Sequence, residues 1–172
     1  MYSPREIMEA FFSAMKAGYV SGENLAVPVN QFPWSKMTEW RGENIRVIDF
    51  WQTGRDGVSG FGTTTICSIH APINPLWMMQ YYGKYPEIVI SFLKEALRVE
   101  YDKPLDVHVY GSPSLFCGCR GPRVFVKDGL LYINHVDRMS SFSRFSGEEE
   151  IFDSVTRRSV GFHKYHGMMM LP

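Results

Sequence analysis

Two strand-like runs of this chain end in the same way. Leu76–Tyr82 closes on Tyr81-Tyr82-Gly83, and Ser159–His166 closes on Tyr165-His166-Gly167. Each run is preceded by a helix and further strands, so the shared ending constrains the whole topology. The first helix starts at a capping box: Ser3 is the cap, Pro4 takes the first helical position and Glu6 stands three residues after Ser3. Ile7, Met8, Phe11, Phe12 and Met15 follow helical spacing, and Gly18 predicts the stop. The second helix is expected from Pro86 to about Val99, with Val89, Phe92, Leu93 and Ala96 as its apolar stripe.

β-Branched and aromatic runs bounded by Gly, Pro and Asp predict strands at Asn44–Gln52, Thr63–Ile69 and Leu76–Tyr82. In the second half they fall at Arg123–Val126, Leu130–Val136, Glu148–Phe152 and Ser159–His166, with Lys127-Asp128-Gly129 as a hairpin turn. Longer loops are expected around residues 20–40 and 102–121. Phe61, Ile66, Tyr81 and Gly83 match Phe145, Ile151, Tyr165 and Gly167 in order. The expected fold is therefore α+β, one domain over residues 1–172. It is built from two tandem helix-plus-antiparallel-strand repeats, about 1–84 and 85–172, related by a pseudo-twofold. In that reading Gly83 and Gly167 supply permissive backbone where each repeat closes.

Composition narrows the function classes. The chain has 172 residues with 45% hydrophobic and 15% aromatic content, enough to bury a core without staples. Its 18 basic residues balance 18 acidic ones, which leaves no basic footprint for nucleic acid. No run approaches the roughly 20 apolar residues of a membrane helix. The start "MYSPREIMEAFF" lacks the order of a signal peptide, and three cysteines fit a reducing compartment. The expectation is a cytoplasmic protein with no nucleic-acid or membrane partner.

The segments "PLWMMQYYGKY", "FLKEAL", "CRGPRVF", "FSGEEEI" and "KYHGMM" resemble a bacterial family described as domain of unknown function 5680. Members of that family occur alone or joined to helix-turn-helix regulators. The likeness spans nearly the whole chain and is firmest from Trp77 onward. It departs at Thr63-Thr64-Thr65, where the family usually carries an acidic residue after the glycine. The resemblance implies a stand-alone form with a sensor role and brings no established activity.

Alternation places Trp77, Met79 and Tyr81 on one strand face and Met78, Gln80 and Tyr82 on the other. The matching sets are His163 with Tyr165, and Lys164 with His166. Gln80, Tyr82, Lys164 and His166 mix aromatic and polar character as a small-molecule cleft does, and a partly solvated sheet surface has the same pattern. Glu148 and Glu150 share a face opposite Glu149, and such a run reads as a charged exposed edge. Arg120, between a Cys-Gly-Cys turn and Gly121-Pro122, is aimed by a rigid loop. Its fork suits either an anionic ligand group, beside Tyr82 and His166, or a pairing with Glu148 or Glu149. The candidate ligand-binding set is Trp77, Gln80, Tyr82, Arg120, Glu149, Lys164 and His166.

No nucleophile elbow, phosphate loop or dinucleotide fingerprint is present, so no cofactor and no catalytic residue is assigned. His163 and His166 fall on opposite faces of a strand, and Cys117-Gly118-Cys119 lacks zinc-knuckle spacing, so no metal is expected. The leading expectation is non-catalytic binding of a small ligand, as a sensor or a sequestering protein. The alternative is a protein-interaction or inhibitor module using the aromatic loops Phe32–Trp40 and Leu115–Cys119. An enzyme of unknown reaction stands third.

Overall fold

The computed structural model describes residues 2–22, 25–103 and 119–170. Helix α1 (Pro4–Met15) begins at the expected capping box, in which Ser3 Oγ accepts from the Glu6 N–H and the Ser3 N–H donates to Glu6 Oε2. It ends at Met15, and a π-helical turn carries the chain over Lys16–Val20. Five strands follow: β1 (Val27–Pro28), β2 (Ser35–Arg41), β3 (Ile45–Thr53), β4 (Ser59–Ser68) and β5 (Pro75–Lys84). Helix α2 (Glu87–Tyr101) then leads to β6 (Val124–Lys127), β7 (Leu130–Val136), β8 (Arg144–Asp153) and β9 (Ser159–Met169). The expected loop over residues 20–40 thus holds two strands, and residues 104–118 of the other loop lie outside the described residues.

The nine strands among the described residues form one antiparallel sheet in the order β1-β2-β3-β4-β5-β9-β8-β7-β6. This corrects the expected fold. The molecule is dominated by a single continuous sheet with two helices among the described residues, not by two helix-plus-strand repeats under a pseudo-twofold. At the junction of the two expected repeats, β5 and β9 instead form an unbroken ladder from Trp77↔Met169 to Lys84↔Phe162, with Tyr81 opposite Tyr165. Similar strand endings misled because they report local packing, whereas pairing between distant strands leaves no mark within either run.

That packing is a glycine set against a ring. Gly83 and Gly167 sit inside strands rather than at exits, and neither has a positive φ. Gly83 lies opposite His163, and a Cβ on it would come within 2.3 Å of the Phe162 carbonyl oxygen and 2.7 Å of the His163 ring. Gly167 lies opposite Phe145, whose ring would be 2.4 Å away. Gly62 and Gly147 stand in the same relation to Tyr81 and Tyr165. Bare backbone lets a large inward ring lie flat across the neighbouring strand. Left-handed backbone is used instead at Asp128 (φ 48°) and Gly129 (φ 78°), the expected β6–β7 hairpin turn.

The core lies between one sheet face and the two helices. Ile7, Phe11 and Met15 of α1 and Val89, Leu93 and Leu97 of α2 pack on inward side chains of the strands. Trp77 is its centre: its ring stacks on Phe142 at 5.2 Å and contacts Phe11 at 5.0 Å, while Nε1 donates to the Phe142 carbonyl. Because strand side chains alternate strictly, a one-residue slip of β5 would drive Trp77 into solvent. None of the helices among the described residues is long and apolar enough to cross a membrane.

Gly147→Ala is expected to lower stability by about 1–3 kcal/mol, because the new methyl must displace the Tyr165 ring and the His135 carbonyl. Gly18→Ala, with its nearest foreign atom 4.0 Å away, should cost nothing or stabilise slightly. Urea denaturation midpoints of the two variants check this contrast.

Candidate functional site

The inner face carries polar groups amid its apolar core. Alternation along β8 turns Phe145, Gly147, Glu149 and Ile151 inward, so Glu149 is fully buried. The expectation of an exposed charged edge fails here because β8 is an interior strand between β7 and β9. Glu148 and Glu150 stay on the other face, Glu148 facing Lys164 at 3.2 Å.

Arg120 reaches Glu149 from the segment before β6, where Cys119 adopts a left-handed φ of 63°. Nε and Nη2 donate to the same oxygen, Oε1, at 3.1 and 2.6 Å, and only 4% of Arg120 is exposed. Tyr132 Oη donates to the other oxygen at 2.5 Å and itself accepts from the Gly121 N–H. The Asn134 amide donates to the Gly121 carbonyl, and Tyr165 Oη donates to Asn134 Oδ1 at 2.7 Å. Tyr101 of α2 closes the set with a hydrogen bond to the Cys119 carbonyl. Of the two sequence alternatives for Arg120, the structure shows the pairing with Glu149; Tyr82 and His166 lie across the sheet.

A second buried carboxylate, Asp49 on β3, accepts from Thr64 Oγ1 at 2.7 Å and Tyr81 Oη at 2.9 Å. Between these two polar clusters, α2 and the β3–β4 turn, there is a cavity of about 240 Å³. It is half open to solvent, and its aromatic lining is Trp51, Phe61, Tyr81, Tyr85 and His163, joined by Ile90, Leu93 and Arg120. Two of these residues carry a fully buried polar atom, Tyr85 Oη and His163 Nδ1; both are closed off from the cavity space and interact with the Glu149 carboxylate. His163 Nδ1 lies 3.3 Å from Glu149 Oε1, near enough for charge attraction but not aligned as a hydrogen bond.

Burial opposes the Glu149 carboxylate, yet Arg120 and His163 outweigh it and hold the group below its ordinary range. Burial, and then the Arg120 charge, lower the His163 imidazole against the pull of Glu149, so the ring is neutral at pH 7. Burial, reinforced by the Glu149 charge, pushes the Tyr85 and Tyr132 phenols well up, and both stay protonated. The cluster is thus a saturated carboxylate facing a neutral imidazole and neutral hydroxyls.

The seven residues singled out in the sequence divide between the faces. Arg120 and Glu149 meet on the inner face, and Trp77 lies there as core packing beneath α1. Gln80, Tyr82, Lys164 and His166 line up on the outer face, Gln80 opposite His166 and Tyr82 opposite Lys164. Gln80 and His166 border a second half-open pocket, of about 380 Å³, with Met78 and Met168. Of the aromatic loops, Phe32 and Trp34 are exposed, Trp40 belongs to β2, and only Cys119 of the second is described. Sequence reasoning missed Trp51, Tyr85 and Asp49. Asp49 was detectable, since Ile45, Val47 and Asp49 alternate on one face of β3 and the first two are buried.

Comparison with protein-family models, with curated proteins and with solved structures finds no match in any of the three. The family resemblance rests on the quoted segments alone.

Glu149→Gln should cost about 3–5 kcal/mol, because it leaves the Arg120 charge buried and uncompensated. Arg120→Lys, which loses the fork but keeps the charge, should cost about 1–3 kcal/mol. Tyr85→Phe removes a buried hydroxyl without a well-aligned hydrogen bond, and its stability should stay close to the parent's; chemical denaturation ranks the three. Acid acts in one direction on both buried groups. His163 is held neutral in the fold, so its contribution is intact above the ordinary value of 6.5 and falls away as pH drops below it. Glu149, held low, loses its contribution further down, below the ordinary carboxyl value of 4.5. The decline in unfolding free energy between about pH 7.5 and 5.5 should therefore shrink in His163→Gln; an unchanged decline would refute the neutral assignment.

Proposed function

We propose that this protein is a non-catalytic binding domain for a small molecule, which occupies the cavity beneath the β3–β4 turn. One observation carries the reading: a half-open cavity of about 240 Å³ with a mostly apolar lining rich in aromatic side chains. Mostly apolar pockets with a few convergent polar groups are the ordinary form of a ligand site.

The charged groups nearby serve to hold the wall rather than to react. Both oxygens of Glu149 are taken by Arg120 and Tyr132, and Asp49 accepts two hydroxyls. A general base needs an oxygen or nitrogen within reach of a substrate proton, and these carboxylates are already engaged. On the family resemblance, a stand-alone domain of this kind would act as a sensor or a sequestering protein.

A different observation favours the second reading, a protein-interaction module. Phe61 and Tyr82 are directly paired on the outer sheet face, 54% and 50% exposed, and Phe32 and Trp34 are as open. Tryptophan and tyrosine in such positions are the usual anchors of interfaces.

A melting-temperature screen with one- and two-ring compounds tests the leading reading on the parent and on Ile90→Trp, which fills the cavity from α2. Compounds are expected to raise the parent's melting temperature by several degrees and to leave the filled variant unmoved. If no compound separates the two proteins, the cavity is not a ligand site.

A further inference from the structure

We propose a second ligand site on the outer sheet face, one that takes an organic carboxylate with a flat apolar body. It stands apart from the cavity reading, because it uses the face turned away from α1 and α2. The half-open pocket of about 380 Å³ spans three neighbouring strands. Its outward side chains are Met78 and Gln80 of β5, His166 and Met168 of β9, and Arg144 and Ser146 of β8. Register sets them in two rows across the sheet: Met78, Met168 and Arg144 in one, Gln80, His166 and Ser146 in the other.

The polar groups of this pocket are accessible and unengaged. Arg144, His166 and Gln80 are exposed, and among the described residues their side chains make no hydrogen bond or ion pair. Arg144 and His166 are diagonal neighbours on β8 and β9. Such positions hold their Cβ atoms roughly 7–8 Å apart, a gap that long side chains bridge. Gln80 is directly opposite His166 on the other side. Guanidinium and amide groups both donate, and an imidazole keeps at least one N–H in either protonation state. Three donors from three strands therefore reach one group held between them.

Charge sets the sign of that group. Among the described residues Arg144 is the only permanently charged side chain on the lining, and no carboxylate is part of it. The acids beside the pocket are engaged elsewhere: Glu148 faces Lys164 at 3.2 Å, and Asp137 accepts the Ser146 hydroxyl. One guanidinium answers one negative charge, and its planar fork matches the two oxygens of a carboxylate. Because the pocket is half open, the bound carboxylate keeps part of its hydration and avoids the full cost of a buried ion. The body of the ligand follows from the other row, where Met78 and Met168 are directly paired. Thioethers adapt to irregular shapes and make favourable contacts with aromatic rings, so a flat ring is the guest they suit.

NMR of methyl-labelled methionine tests the proposal through the Met78 and Met168 signals. The four probes are 2-naphthoate, its neutral analogue 2-naphthamide, 2-naphthylmethylammonium and acetate. 2-Naphthoate should move both methyl signals and bind about fivefold tighter than each of the others, the upper end for a solvent-exposed charge pair. Arg144→Gln, at an exposed position, should abolish that preference and leave 2-naphthamide binding as before. The methyl shifts should persist in Ile90→Trp, which fills the cavity on the other face. Equal affinity for acid and amide, tighter binding of the ammonium, or a preference unchanged in Arg144→Gln overturns carboxylate recognition. Acetate binding as tightly as 2-naphthoate overturns the flat apolar body. Methyl signals that no probe moves, or shifts that vanish in Ile90→Trp, overturn the site itself. The cavity reading survives each of these results, since its own screen compares melting temperatures of the parent and the filled variant.

Discussion

The Arg120–Glu149 pair is the contact on which the inner face depends. Removing two charges from water costs several kcal/mol per ion, and attraction alone seldom recovers it. Here the shortfall is met by hydrogen bonds on both carboxylate oxygens and by the chain Gly121–Tyr132–Glu149, with Asn134 and Tyr165 alongside. The pair therefore ties the segment before β6 to three strands at once. A half-satisfied version would be worse than an apolar core, so this arrangement selects one register for β7, β8 and β9 together.

That dependence explains which parts of the architecture could be read in advance. The capping box, the helical stripes and strand alternation are local, and α1, α2 and the inward faces of β5 and β9 follow from them. Glu149 could be separated from Glu148 and Glu150 by alternation, but nothing within the run says that β8 has neighbours on both sides. The β5–β9 ladder joins residues some eighty positions apart, and its effect on the fold is visible only in coordinates. Strand β2 escaped because Trp34 and Lys36 beside Pro33 read as loop, while its partner β3 was recognised from its own composition.

The candidate site was partly legible for the same reason. Arg120 and Glu149 were both singled out, one for its rigid setting and one for its place in a family-like segment. Gln80, Tyr82, Lys164 and His166 were chosen for their mixed character, which is what a solvated sheet face also shows, and they lie on the far side from the cavity. Trp51 and Tyr85 gave no signal because an aromatic residue at a strand or helix boundary is ordinary. Only their meeting across β3, β5 and α2 makes a wall.

The cavity also needs a roof that does not collapse into it, and the β3–β4 turn supplies one. Asp56 accepts from the Val58 and Ser59 N–H groups and from Ser59 Oγ, and these bonds, the Ser59 hydroxyl first, hold its carboxyl down to about 2. Tyr85 donates its own N–H to the Val58 carbonyl, which fastens the turn to the end of β5. On the floor, Gly83 and Gly161 leave space for the His163 and Tyr85 rings, since a Cβ at either position would strike them within 2.7 Å. Bare backbone below and a pinned turn above keep apart surfaces that a core would otherwise bring together. Gly83, one of the two glycines that first suggested a repeated strand ending, thus makes room for the His163 ring of the cavity wall.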